Sequence, residues 1–394
     1  MMEWNFSQRY QAKLSGAASA ATELAEKVAF LSRTDTYGVA AVTCRETHMS
    51  WIFLAGERAY KLKKPVRFSY LDFSSLARRE AACRAELRLN RRLAPDVYLA
   101  VEPLTAVPKR GGTFSLGGSG PALDWLVVMR RLDERNTLQH ALEERSVKPW
   151  QLDRVAATLV QFYRRSVPVP LSPALHLDDW RRSLIENRKV LLQARFRLPA
   201  GLITKVDVAQ RRFLAQCRDL LVSRVLGRHI VDGHGDLRPE HIWLGDPVRI
   251  IDCLEFNDRL RAGDPLDEIA FLSLECERLG VAWAGRYLRQ RVMRDLHDDT
   301  PEALFRFYRC HRATLRARLA IAHLFELHPR TPEKWRPLAR RYLEIAAGDA
   351  TRLVRMLKSP AGRPTRFRGA SARSLRRTVA RRRAHPLFVA RHHL

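Results

Sequence analysis

The sequence predicts an α+β chain folded in two lobes, a small antiparallel-sheet lobe followed by a larger helical one. Three observations carry the prediction. β-branched and aromatic residues cluster at 38–66 and are broken by Gly56 and Pro65, the patterning of strands and turns. After Asn136 the apolar residues recur at helical spacing over long windows. A single β-like island, at 229–253, interrupts those helices. With 46% hydrophobic residues among 394, the chain can build a full core, which excludes global disorder.

Taken in order, an amphipathic helix is expected over Ala21 to Leu31. Two or three strands follow between 38 and 66, with a tight turn at Ala55-Gly56-Glu57-Arg58. The next helix, over 72–93, has Asp72 or Ser74 to cap it and Pro95 to end it. Its apolar positions are Leu76, Cys83, Leu87, Leu89 and Leu93. VYLAVEPL and DWLVVMRRL add strands on either side of a Gly-rich turn at 111–120. Helices are expected at 137–165, 178–195, 203–226, 263–280, 282–297, 301–327 and 334–357. This order divides the chain into a helical extension (1–30), a small lobe (31–132), a helical lobe (133–357) and a tail (358–394).

The chain carries 70 Lys+Arg against 42 Asp+Glu, a formal net charge of +28. Such a charge suits an anionic partner: nucleic acid, a phosphorylated ligand or a membrane surface. It is unevenly placed. The tail at 358–394 holds 11 Lys/Arg and no acid, and a like-charge block of this kind resists packing. Nucleic-acid binding is therefore an expectation for the tail only. The six cysteines stand singly without a CxxC pair, against a zinc ribbon or a disulfide framework and in favour of a reducing cytoplasm. The first residues, MMEWNFSQRYQAKLSG, lack the apolar core of a signal peptide. No run reaches the roughly 18–20 apolar residues of a spanning helix, so no membrane span is expected.

Against this basic background stands one acidic island. Residues 232–268 hold ten acids and four bases, net −6. Clustered carboxylates repel one another and are usually retained to bind a cation or move protons. His234-Gly235-Asp236 opens a loop, and the apolar strand Val248–Ile251 then delivers Asp252. A loop carboxylate followed by a strand ending in a second one is how phosphotransferases place a base and a metal ligand. Gly235 lets the backbone turn tightly before the base.

HGDLRPEHI followed by IIDCLEFN resembles the catalytic loop and metal strand of the aminoglycoside phosphotransferase/choline-kinase-like family, which has the protein-kinase-like fold. THMSWIFLAGERAYKLKKPVRFSYLDF, ELRLNRRLAPDVYL and DGHGDLRPEHI together resemble an uncharacterised bacterial subgroup of it, over residues 28 to 330. The resemblance implies ATP and Mg²⁺ as cofactors and a hydroxyl of a small molecule as acceptor. It implies Asp236 as the catalytic base, Asp252 as the main Mg²⁺ ligand and Lys61 as the partner of the nucleotide phosphates. Lys63 lies on the same strand face and competes for that role. Glu86 or Glu80 holds the lysine from the helix; six residues apart, they do not share one helix face. Val127-Val128-Met129-Arg130 is the expected hinge under the adenine, recognising it through backbone groups.

Two departures from the family pattern stand out. His241 occupies the place of the usual Asn metal ligand, so it either holds a second ion weakly or donates to phosphate; Mg²⁺ prefers oxygen. No glycine-rich GxGxxG precedes the lysine strand, and Thr47-His48-Met49-Ser50 sits there instead, with hydroxyls and amides that could meet phosphate. His234 is read as bracing the loop, and Asp264 and Asp267 as capping the next helix and bracing the loop. Arg312 and Arg316 share a helix face, either solvated or facing an anionic substrate. Two rival readings remain, a non-catalytic protein that binds nucleic acid or an anionic surface through its basic body and tail, and an iron site on His234, Asp236 and His241.

Overall fold

The computed structural model describes residues 14–68, 70–107, 114–325 and 331–358. The small lobe opens with α1 (Leu14–Leu31) and continues with strands β1 (Val42–Glu46), β2 (Ser50–Ala55) and β3 (Arg58–Lys63). Two short strands, β4 (Arg67–Phe68) and β5 (Leu71–Asp72), lead into α2 (Leu76–Asn90). Strands β6 (Tyr98–Ala106), β7 (Phe114–Leu116) and β8 (Ala122–Arg130) complete the lobe. The main sheet is antiparallel with order β1-β2-β3-β8-β6-β7.

Alternation along the strands sorts the side chains. Tyr60 and Leu62 of β3 and Leu126 and Val128 of β8 form one core, against which Leu24, Val28, Phe30 and Leu31 of α1 pack. Val127 faces the other way, into a core with Cys83 and Leu87 of α2. The helix expected as an extension is thus part of the small-lobe core. The expected turn between β2 and β3 is present, with Gly56 at φ +56 and Ala55 opposite Arg58. Helix α2 is capped by Ser75, which accepts from Arg78 N–H, and not by Asp72 or Ser74. Asp72 instead accepts from the Ser74 N–H and hydroxyl in a turn just before the helix.

The large lobe contains α3 (Leu138–Glu143), α4 (Pro149–Arg165), α5 (Pro173–Leu191), α6 (Ala200–Gln216) and α7 (Arg218–Leu226). The short strands β9 (Val231–Asp232), β10 (Ile242–Trp243) and β11 (Arg249–Ile250) carry the acidic island. Then come α8 (Asp258–Arg261), β12 (Ala262–Gly263), α9 (Pro265–Arg278), α10 (Ala282–Leu296), α11 (Glu302–Ala322) and α12 (Pro332–Lys358). The single helix expected over 137–165 is two, because Arg145 adopts φ +51 and Pro149 starts a new helix at its first turn. The helix expected over 203–226 is likewise two, broken at Cys217, where φ −128 leaves the helical region. Buried residues of α4, α9, α10 and α11 surround β11 and the loop before β10 in one core, and α6, α11 and α12 share a second. The basic tail beyond Lys358 lies outside the described residues.

Candidate active site

Strand alternation places Lys61 and Lys63 on the α2 face of the sheet. Glu86, wholly buried on α2, accepts from Lys61 Nζ at 2.8 Å and from Lys63 Nζ at 2.6 Å. Lys61 also reaches Asp252 Oδ1 at 2.7 Å, and Lys63 reaches Glu255. The result is one chain of alternating charge: Asp252, Lys61, Glu86, Lys63, Glu255. Lys61 faces the cleft, whereas Lys63 has no exposed side-chain surface and lies 4.9 Å from the ring centre of Phe73. Glu80 does not enter this chain; it pairs with Arg84 at 2.8 Å on the outer side of α2. Burial pushes the Glu86 carboxyl up, but Lys61 and Lys63 outweigh it and hold it below the usual carboxylate range. Burial pushes Lys61 down, and Asp252, Glu86 and Glu255 outweigh that to keep it charged. Glu255 is held above its ordinary value by burial, which Lys63 offsets only in part.

The catalytic-loop segment is built differently. The backbone N–H groups of His234 and Gly235 both donate to Glu268 Oε1, at 2.8 and 2.6 Å. Tyr163 donates its hydroxyl to the other oxygen at 2.8 Å. Gly235 has φ +85, and a Cβ there would fall 2.7 Å from Leu254 Cδ1, so only glycine fits. His234 is wholly buried, with Nε2 2.9 Å from the Ile251 carbonyl and Nδ1 3.3 Å from the Asp236 N–H. Both ring nitrogens are engaged, which removes His234 from any iron site. Asp252 adopts φ +60, a region that non-glycine residues rarely enter. Its N–H donates to the Tyr98 hydroxyl at 3.1 Å, and the next N–H, of Cys253, donates to Asn90 Oδ1 at 2.8 Å. Leu254 N–H closes the turn on the His234 carbonyl at 3.0 Å. The backbone so held turns the Asp252 carboxylate into the cleft, 45% exposed.

His241 stands between the two aspartates. Its Nδ1 is 2.9 Å from the Asp236 carbonyl oxygen, a contact in which it donates. That leaves the Nε2 lone pair 3.5 Å from Asp252 Oδ2. Burial lowers the imidazole's proton affinity despite Asp252 and Asp236, which favours the neutral ring. Burial pushes the Asp236 carboxyl up, but Arg238, His241 and Arg316 outweigh it and keep the carboxylate ionised. For Asp252, burial is outweighed by Lys61 and His241, which hold it far below the usual range.

Three expectations are corrected by this geometry. Thr47 and Ser50 close a turn on each other: Thr47 Oγ1 accepts from Ser50 N–H and donates to Ser50 O, both at 2.9 Å. Ser50 is also only 2% exposed, so neither its amide nor its hydroxyl faces a phosphate. Met129 and Arg130 are still inside β8, with Arg130 N–H spent on Val97 O at 2.8 Å and Arg131 N–H on Glu57 O at 2.9 Å. The backbone N–H groups of Arg130 and Arg131 are thus already taken. The third concerns the loop brace, which is Glu268. Asp264 caps α9 through Leu266 N–H, and Asp267 pairs with Arg312. Sequence reasoning missed Glu255, Glu268, Asn90 and Tyr98; only Glu255 and Glu268, as acids of the island, carried a signal that could have found them.

Fold and site together define a two-lobed α+β protein, with a small antiparallel-sheet lobe and a larger helical lobe. No family model matches the chain. Among curated proteins, an uncharacterised protein of Mycobacterium tuberculosis (strain ATCC 25618 / H37Rv) is 31% identical over 295 residues, 73% of this chain and 56% of its own length. An uncharacterised protein of Mycobacterium bovis matches to the same extent. The chain thus spans about half the length of the curated relatives it matches. Among solved structures, a choline/ethanolamine kinase family protein from Mesorhizobium loti has a TM-score of 0.45 at 17% identity, covering 86% of this chain and 96% of its own. A thermostable mutant of aminoglycoside phosphotransferase APH(4)-Ia has a TM-score of 0.49 at 12% identity, covering 81% and 98%.

Proposed function

We propose that this chain is an ATP-dependent phosphotransferase that moves the γ-phosphoryl group to a hydroxyl of a small molecule. The observation that carries the reading is the meeting of Lys61, 2.7 Å from Asp252, with the neighbouring His241 and Asp236, a strand and a loop far apart in the chain. Asp236, ionised and beside the cleft, accepts the hydroxyl proton of the acceptor. Lys61, held by Glu86, positions the nucleotide phosphates. Glu268 and His234 keep the base-bearing loop in one conformation, so that catalysis is mostly positioning and electrostatics.

The donor set suits magnesium. Mg²⁺ is usually held by one or two carboxylates together with substrate phosphates, not by an all-protein cage. Asp252 supplies a hard, ionised carboxylate, and among the described residues no cluster of three or more metal-ligating side chains occurs. Asp252 would hold the ion, with the His241 Nε2 lone pair alongside as a weaker ligand. When bound, the ion supplies neutralisation of phosphate charge.

Isothermal titration of the full chain with ATP, with and without Mg²⁺, tests this. The expected result is tight binding that depends on Mg²⁺ and is lost in Asp252→Asn. ATP binding that ignores both the metal and the substitution would overturn the assignment.

A further inference from the structure

Resting on that reading, the structure assigns the acceptor a chemical class: we propose that it carries an oxyanion, a carboxylate or phosphate, near its reacting hydroxyl, and that Arg316 binds that group. Arg312, Arg316, Leu319 and His323 recur at helical spacing along α11 and its end, and so share one face. The face lies by the cleft at both ends. Arg312 binds Asp267 in a two-point contact, 2.9 and 2.6 Å, and Asp267 adjoins the Glu268 that holds the catalytic loop. His323 meets His48 of the small-lobe turn at 5.6 Å between ring centres.

Within this face the two arginines differ. Arg312 is matched by its own carboxylate. Arg316 is matched more loosely: its Nε makes no hydrogen bond, the Glu275 carboxylate stands 3.8 Å away, and its remaining partners are the Tyr342 hydroxyl and, through charge alone, Asp236. Glu275 already accepts from the Tyr342 hydroxyl at 2.7 Å and from Arg278. The Arg316 guanidinium instead lies 5.8 Å from the ring centres of both Phe271 and Tyr342. Its side chain is 21% exposed, and a partly exposed guanidinium without a two-point carboxylate partner is suited to planar recognition of an oxyanion. Its charge also bears on Asp236, so it lies within electrostatic reach of the reacting hydroxyl. Leu319, 40% exposed one turn on, offers an apolar contact to the rest of the acceptor.

A cationic acceptor has a rival place. An open groove of about 400 Å³ on the hinge side has Glu134, Glu143 and Glu240 among its walls. Two of those acids have a basic partner, Glu134 in Arg45 and Glu240 in Arg238, whereas Glu143 accepts from the neutral Gln139 and Glu240 Oε2 makes no hydrogen bond. Selection of an amino alcohol would place the acceptor there.

The test is phosphotransfer by the full chain from Mg·ATP to a panel of hydroxy acids and sugar phosphates, neutral polyols, and amino alcohols, with ADP release as the readout. The expected result is turnover above basal ATP hydrolysis with anionic members only. Arg316→Gln should raise the KM of the best anionic acceptor by about tenfold or more, the loss of one charge-assisted contact. Arg316→Lys should restore part of it. Arg318→Gln, on the same helix but paired with Glu186, should leave that KM unchanged. Preference for an amino alcohol or a neutral polyol, an unchanged KM in Arg316→Gln, or no turnover of any anionic member by a chain that binds Mg·ATP would each overturn the proposal. Failure to bind Mg·ATP at all would sink the phosphotransferase reading itself.

Discussion

The two sides of the cleft are fastened by different physics. On the small-lobe side, two lysines and three carboxylates form a chain of ion pairs around Glu86, with Lys63 and Glu86 wholly buried. On the large-lobe side, backbone groups are held by side chains of both lobes: Glu268 takes the N–H of residues 234 and 235, and from the small lobe Tyr98 takes that of Asp252 and Asn90 that of Cys253. The first arrangement depends on charge matching. The second depends on having an acceptor at the right place, charged or not. In the proposed function one side presents a cation to phosphate, and the other fixes the direction of two carboxylates.

The same conservative substitution on both sides should break this comparison or sharpen it. Glu86→Gln leaves Lys61 and Lys63 without their shared counter-charge. Breaking a buried pair in this way destabilises by about 3–5 kcal/mol. Glu268→Gln keeps an amide oxygen for the two backbone donors, and its expected effect is about 1 kcal/mol. Urea unfolding of both variants measures the difference. Equal losses would show that the loop is held by charge after all.

A smaller effect comes from outside both halves. His311, on α11, is pushed down to about 3 by burial, with Arg312 and Arg318 adding to the shift. In the unfolded chain it titrates near the ordinary value of 6.5. Between these values the unfolded state binds a proton that the folded state refuses, so stability falls as pH drops from 6.5 towards 3. The slope attributable to this one group is at most about 1.4 kcal/mol per pH unit. His311→Gln should flatten the acid limb of a stability–pH curve by that amount while shifting its level through the lost Ser183 contact. An unchanged slope would place the acid sensitivity in the cleft instead.

How much of this was legible in the sequence follows from where the information lies. The local settings of Lys61, Asp236 and Asp252 were readable, a turn before a strand, a glycine before a loop and an apolar run before an aspartate, whereas the role given to Lys61 came from the family resemblance. Helix breaks at Arg145 and Cys217 were not, because each is a local conformational change at a residue with no turn signature of its own. Glu86 against Glu80 could not be decided from spacing, since the choice depends on how α2 is rotated over the sheet. Glu255, Asn90 and Tyr98 act through partners more than twenty residues away, and such pairs leave no periodic trace. The exhaustion of backbone donors at Arg130 also came from pairing with another strand end and not from the residue itself.

The central claim is that Asp236 is the base and not a structural acid. The direct measurement is Asp236→Asn, followed by Mg·ATP binding in the calorimeter and by ADP release in a turnover assay. The account predicts a folded chain that binds Mg·ATP nearly as before and neither transfers nor hydrolyses the γ-phosphoryl group. Full turnover in that variant would contradict it.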